Sequence, residues 1–207
     1  MSFGTHQDLG QTVSRETMQR LDLLDSLVRK WNPVINLVSK ESLSLLRTRH
    51  IEDSMQVFGV VNAHGKIWSD LGSGGGFPGL VIAILASELS ETTSVNLVES
   101  DTRKATFLRE AVRQLGVRAT VINARIERLA PLESGIVSAR ALGSLKTLCA
   151  FASRHLGDDG VALFPKGVNH RSEIIEAQMN WSFDLVIHPS KTEPGAALLE
   201  LRNIQNV

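Results

Sequence analysis

Asp70-Leu71-Gly72-Ser73-Gly74-Gly75-Gly76-Phe77-Pro78-Gly79 is the stretch on which the reading of the fold turns. The apolar run Ile67–Leu71 leads into it, and residues 78–85 follow with the apolar density of a buried helix whose first turn holds a proline. A strand, a glycine loop and a helix are therefore expected. Glycine allows a sharp turn with positive φ and lets a ligand touch main chain where a Cβ would stand in the way. Such a loop alone can cradle a dinucleotide pyrophosphate equally well, or turn tightly with no ligand.

Two acids narrow the choice. Asp70 lies two residues before the first glycine, a place that suits a cationic amino acid and sulfonium better than a pyrophosphate. A second apolar run, residues 95–98, ends in Glu99, where folds of this kind set an acid against ribose hydroxyls. The pattern points to a nucleotide-type cofactor, S-adenosylmethionine ahead of NAD. An NAD-dependent oxidoreductase is further disfavoured because the chain has no tyrosine to complete a Ser-Tyr-Lys group.

Downstream the apolar pattern alternates. Strands are expected at about 67–71, 94–99, 117–122, 135–140 and 160–165, and helices at about 78–89, 102–115, 144–156 and 168–179. Repeated β-α units imply a parallel sheet with helices on both faces. Two last apolar runs, 183–187 and 197–204, are separated by Pro189, Pro194 and Gly195 with no room for a helix, and read as an antiparallel pair at one sheet edge. The expected fold is α/β and Rossmann-like: a seven-stranded, mostly parallel sheet over 67–207, preceded by a helical extension over 1–66 packed on it.

Within that extension Ser14 is placed to cap a helix running to about Trp31, with Met18, Leu21, Leu24 and Val28 on its buried face. Pro33 is expected to disturb this helix, and Asn32 and Asn36 to satisfy the freed backbone groups. A second helical region is expected over 41–58, where His50 and Asp53, three residues apart, read most simply as a surface ion pair.

With 207 residues, 43% of them hydrophobic, the chain suits one domain with an extension and a sizeable core. No apolar run approaches the ~20 residues that span a bilayer. The N-terminus is polar and lacks a signal-peptide pattern, so the expected location is the cytoplasm, without membrane. The lone Cys149, in an apolar helical stretch, is expected to be a packed core thiol. Net charge is zero, which argues against a broad nucleic-acid footprint. Residues 103–128, however, hold seven lysines and arginines against Glu110 and Glu127, which permits an anionic partner.

Ligands in such sheets bind beyond the C-terminal strand ends. Those ends carry Asp70, Glu99, Arg125-Ile126-Glu127, Ser138-Ala139-Arg140 and Lys166-Gly167. The backbone of Ile126 and Glu127, after the third strand, is the expected adenine contact.

Trp31-Asn32 with Asn36-Leu37, Arg49-His50 with Asp53-Ser54, the loop from Asp70 to Gly79, Arg125-Ile126-Glu127, Ser138-Ala139-Arg140-Ala141 and Lys166-Gly167 resemble in kind and order the RsmG family, also called glucose-inhibited division protein B. The resemblance covers nearly the whole chain. Its Arg-His-x-x-Asp-Ser segment and the Arg140 segment are more specific than the glycine loop, whose Phe77 stands where many relatives have leucine. The resemblance implies a methyltransferase dependent on S-adenosylmethionine, acting on guanine N7 of bacterial 16S ribosomal RNA. It implies cofactor contacts from Gly72, Phe77, Ile126, Glu127 and Arg140, with Glu99 as ribose partner; Asp70, Ser73 and Gly74 complete the expected set. Lys166 and Arg140 are the candidates to address guanine O6, because an arginine fork on O6 and N7 would occupy the lone pair that attacks. His50 is expected at the cleft mouth, beside Asp53 and Ser54. The partner implied is 16S RNA or the small ribosomal subunit; a monomer without metal is the expectation beside it. A methyltransferase of a small molecule or protein, and a non-catalytic ribosome-binding protein, are the alternatives.

Overall fold

The computed structural model describes residues 13–207; the N-terminal residues weighed above for a signal peptide lie outside that range. Helix α1 (Arg15–Ile35) begins where the sequence indicates, with the Ser14 hydroxyl accepting the Thr17 N–H at 3.2 Å. Leu21, Leu24 and Val28 are fully buried and share one apolar core with Leu80, Ile84 and Phe107 of the main domain. The helix does not stop near Trp31. It carries Pro33 inside it, because Pro33 and Arg29, whose carbonyl loses its helical donor, both lie on the exposed side where water serves.

The two asparagines then close the helix. Asn36 takes a left-handed conformation (φ 52°) and donates its N–H to Asn32 O, while the Asn32 side-chain oxygen accepts the Val38 N–H at 2.8 Å. This turn brings Leu37 against the glycine loop so closely that a Cβ on Gly75 would stand 3.1 Å from Leu37 O.

The helical region expected over 41–58 is three pieces: α2 (Lys40–Ser44), a π-helical turn (Arg47–Glu52) and α3 (Asp53–Gly59). A π turn shifts the phase of the side chains without changing the apolar pattern enough to be read, and such turns recur at functional sites. Here it carries Arg49 and His50.

The main domain follows as β1 (Ile67–Leu71), α4 (Gly79–Leu89), β2 (Ser94–Val98), α5 (Thr102–Leu115), β3 (Ala119–Ile122), a 3₁₀ turn (Ile126–Arg128), β4 (Ser134–Ser138), α6 (Leu145–His155), β5 (Leu156–Lys166), α7 (His170–Gln178), β6 (Trp181–Pro189) and β7 (Ala197–Asn206). The seven strands are ordered β3-β2-β1-β4-β5-β7-β6. Strands β1 to β5 run parallel, and β7 is inserted antiparallel between β5 and β6. The expected mostly parallel sheet with an antiparallel edge is thus the observed one. Strand β5 starts four residues before its expected position: the Gly157-Asp158-Asp159-Gly160 turn signal is taken up as an irregularity, with Leu156 still paired to Ser134 and Val161 to Ile136.

Helix α4 is buried from Gly79 to Ala86, since the sheet covers one side and α1 and α3 the other. On the opposite face a second core joins Leu145, Leu148 and Cys149 to Val137, Phe164 and Leu199. Cys149 is the core thiol expected: burial pushes its pKa up to about 12. Among the described residues no helix is long and apolar enough to cross a membrane.

Candidate active site

The glycine loop is anchored from β2. Ser73 donates its N–H to Val98 O at 2.9 Å, and Gly74 donates its own to Glu99 Oε2 at 2.8 Å. The second Glu99 oxygen accepts the Asp101 N–H at 2.7 Å, so one buried carboxylate ties the loop to the start of α5. Two glycines are required sterically. Gly72 has φ +69°, and a Cβ on Gly79 would meet Leu97 Cδ2 at 2.4 Å and Asp70 Oδ2 at 2.6 Å, so the helix could not approach the strand.

Asp70 is fully buried and lines neither of the two cavities at the C-terminal strand ends. Its Oδ1 accepts the Ser138 hydroxyl at 2.8 Å and its Oδ2 the Gly79 N–H at 3.2 Å, while the Ser73 hydroxyl donates to its main-chain oxygen at 3.0 Å. Ser138 Oγ in turn accepts the Trp68 indole N–H. The carboxylate expected to face a cationic ligand instead faces inward and fixes the start of α4.

Burial pushes the Asp70 carboxyl up to about 6, against the opposing pull of the Ser138, Ser73 and Gly79 donors. The folded state therefore holds this proton more tightly than the unfolded chain does. Stability from this group falls as pH rises from about 4 to about 6, and the penalty stands in full above that range. In Asp70→Asn the amide oxygen can still take the Gly79 N–H and its NH2 can donate to Ser138 Oγ. Between about pH 4.5 and 7 the melting temperature of the wild type is expected to fall relative to that variant. A difference that stays constant across the range would refute an ionising Asp70.

Two cavities open beyond the C-terminal strand ends. The first, about 690 Å³, is lined by Gly72, Ser73, Gly74, Phe77, Glu99, Ile126 and Glu127, closed on one side by Leu37, Val38 and Ser42 of the extension. The second, about 530 Å³, is lined by Arg49, Asp53, Gln56, Lys166, Glu173 and Glu193. His50 and Arg140 border both. The structure therefore brings together the expected site residues around two adjoining spaces, except Asp70 and the buried Ser54, whose hydroxyl donates to His50 O.

Arg140 stands between them. One guanidinium nitrogen donates to Arg49 O at 2.9 Å and to Asp53 Oδ2 at 3.3 Å, and the guanidinium carbon lies 6.0 Å from the Phe77 ring centroid. Burial lowers its pKa to about 10, with the Glu193 carboxylate opposing, so it stays charged at neutral pH. The Asp53 carboxyl is shifted upward, chiefly by burial, and its other oxygen accepts the Thr192 hydroxyl at 3.1 Å. Gln56 fastens the same loop by accepting the Lys191 N–H and donating to Pro189 O. The expected His50–Asp53 ion pair does not form, because the π turn gives Asp53 to Arg140 and Thr192. The His50 ring lies 5.0 Å from the Phe77 ring, and both its nitrogens are buried with no protein partner.

Lys166 lines the second cavity only, with Nζ donating to Gly143 O and Glu173 Oε2, each at 2.7 Å. Glu173 also accepts the Leu145 N–H. Sequence reasoning missed Glu173, Gln56, Thr192 and Glu193. Glu173, seven residues after Lys166, carries no local signal; the other three come to the site through the fold of the last hairpin and α3.

A family model described as GidB, rRNA small subunit methyltransferase G, matches residues 17–197. The ribosomal RNA small subunit methyltransferase G of Ruegeria pomeroyi is 53% identical over 196 residues, covering 94% of this chain and 95% of that protein. Among solved structures, a predicted O-methyltransferase from Agrobacterium tumefaciens superposes with TM-score 0.58 at 21% identity, over 72% of this chain and 79% of that one. TYW2 of M. jannaschii, solved in complex with AdoMet, superposes with TM-score 0.55 at 15% identity, over 76% of each chain. At those identities the two structures speak for the fold alone. The sequence match extends over nearly the full length, and the chain belongs to the rRNA small subunit methyltransferase G family.

Proposed function

We propose that this chain transfers a methyl group from S-adenosylmethionine to N7 of a guanine in bacterial small-subunit ribosomal RNA. Beside its family, the observation that carries this reading is the pair of adjoining cavities with His50 and Arg140 on their shared wall: one space for the methyl donor, one for the base.

The residues of the first cavity fit the cofactor. Its volume is in the range of small-ligand sites, ~300–1,000 Å³. Glu99 spends one lone pair of each oxygen on Gly74 and Asp101, which leaves acceptors for ribose hydroxyls. Gly72, Ser73 and Gly74 offer main chain without steric obstruction, and Ile126 and Glu127 offer backbone to the adenine. Asp70 acts by holding the loop rather than by touching the ligand. When bound, S-adenosylmethionine supplies an electrophilic methyl on a cationic sulfur.

Guanine N7 carries an in-plane lone pair and no proton at neutral pH, so no side chain has to act as general base. What the protein contributes is orientation in a shielded space, an effect that reaches ~7–11 kcal/mol when reactants are held near the attack geometry. Lys166 uses two of its three N–H donors on Gly143 and Glu173 and keeps one for guanine O6. Arg140 uses a single nitrogen on Arg49 and Asp53, so its remaining N–H groups serve either cavity. A single contact at O6 leaves N7 free, whereas a fork across both atoms would block it. The His50 ring forms part of the shared wall, and a turn of that ring would bring one of its unpaired nitrogens to the cofactor or the base.

A base inside folded RNA cannot reach such a space while stacked, so the target is a loop or flipped nucleotide. Exposed Arg109, Arg125 and Arg128, with Lys30 and Arg113 around Trp31, are the phosphate contacts of this reading. The protein acts as a monomer in the cytoplasm, on 16S RNA or the small subunit.

The test is transfer of labelled methyl to small ribosomal subunits from cells lacking the protein, with borohydride–aniline cleavage to detect N7-methylguanine. Label with one new cleavage site is expected, falling steeply as salt rises. Absence of label on subunits, free 16S RNA and partly assembled particles, with cofactor bound, would move the acceptor outside ribosomal RNA. A flat salt profile would remove the basic face from binding.

A further inference from the structure

His155 ends α6, is fully buried and lines neither cavity. Its Nε2 lies 3.1 Å from Ile126 O, and its neighbour Arg154 donates to Leu129 O at 2.6 Å. Two consecutive side chains thus grip the 3₁₀ turn that follows β3. A carbonyl only accepts, so the imidazole carries its hydrogen on Nε2. Burial and the Arg154 charge push its pKa below the usual histidine range, against the bond to Ile126, so the ring is neutral at pH 7. Ile126 O also accepts the Leu129 N–H at 3.2 Å, which occupies both its lone pairs.

The Ile126–Glu127 peptide is trans, so the Glu127 N–H points opposite to the Ile126 carbonyl. With the oxygen drawn toward His155, that N–H is turned away from the end of α6. Ile126 and Glu127 both line the first cavity, and among the described residues the Glu127 N–H has no protein acceptor. An unpaired main-chain donor on the wall of a ligand site calls for an acceptor on the ligand.

We propose that His155 is a positioning residue: by holding the Ile126 carbonyl it presents the Glu127 N–H to a bare ring nitrogen of the cofactor's adenine. The proposal rests on the reading that the first cavity takes S-adenosylmethionine. It assigns a specificity as well as an affinity. Adenine N1 accepts a hydrogen bond, whereas hypoxanthine carries a hydrogen there and would set donor against donor.

The experiment is calorimetry on the full chain with S-adenosylhomocysteine and S-inosylhomocysteine, using wild type, His155→Gln, His155→Leu and His155→Met. The wild type is expected to prefer the adenine ligand by about tenfold or more. His155→Gln, whose amide can donate to the same carbonyl, keeps that preference. In His155→Leu and His155→Met the affinity for S-adenosylhomocysteine drops about tenfold while that for S-inosylhomocysteine stays within about twofold, so the preference collapses. Transfer at saturating cofactor and the KM for RNA are expected to hold. The methionine variant carries the test if the leucine variant does not fold. Equal losses for both ligands, or unchanged affinity for S-adenosylhomocysteine, would overturn the proposal. A wild type that binds neither ligand would overturn the cofactor reading beneath it.

Discussion

Arg140→Ala is expected to lower methyl transfer at least about 100-fold, the scale seen when one well-placed donor is removed from a reacting site. Three things are lost together. The charge between the two cavities disappears, Arg49 O loses its donor, and Asp53 is left with only the Thr192 hydroxyl. Because burial already shifts the Asp53 carboxyl upward, removing its cation favours the protonated form and loosens the hold of α3 on the last hairpin. The stability loss is expected to be about 1–3 kcal/mol, the usual penalty for stranding a buried polar partner. Arg140→Lys recovers little, since one ammonium cannot span Arg49 O, Asp53 and the Phe77 face as a planar guanidinium does. Calorimetry with S-adenosylmethionine beside single-turnover transfer separates the roles. Lost cofactor affinity assigns Arg140 to the first cavity, lost transfer with intact affinity assigns it to the base, and retention of both would remove it from the site.

His50→Phe is expected to dissociate stability from activity. Both ring nitrogens of His50 are buried and unpaired, a condition that costs about 1–3 kcal/mol per group in a protein interior. Phenylalanine keeps the ring against Phe77 and removes the unpaired nitrogens, so the melting temperature should hold or rise. Transfer should fall by about tenfold or more, because the ring can no longer turn a nitrogen to the ligand as hydrogen-bond partner. His50→Ala, which also loses the ring contact, should show the same activity loss with a lower melting temperature. A phenylalanine variant that is as active as wild type would assign the ring to packing alone.

The parts of the fold that were legible in the sequence are those written in neighbouring residues. The period of Leu21, Leu24 and Val28, the cap at Ser14 and the β-α alternation after Ile67 are local patterns, and the structure follows them closely. The gathering of Gly72, Glu99, Ile126 and Glu127 was legible for a related reason: parallel β-α units deliver every strand end to one side. The π turn was not legible, since its shift of phase leaves the apolar pattern of 41–58 intact. Nor was the inward turn of Asp70, which depends on Ser138 arriving from a strand that is neighbour in space and not in sequence.

The sequence by itself determined the kinds of element, their order, and the end of the sheet at which the cavities open, because each follows from backbone preference and apolar periodicity within a few residues. Only the tertiary structure decided who pairs with whom. Asp53 meets Arg140 across 87 residues and Thr192 across 139, and His50 is left unpaired on a shared wall. The insertion of β7 between β5 and β6 is what brings Glu193 to the second cavity and Thr192 to Asp53. The physical reason is that a buried polar group takes whichever partner the packed elements bring within about 3 Å, and sequence distance has no part in that choice.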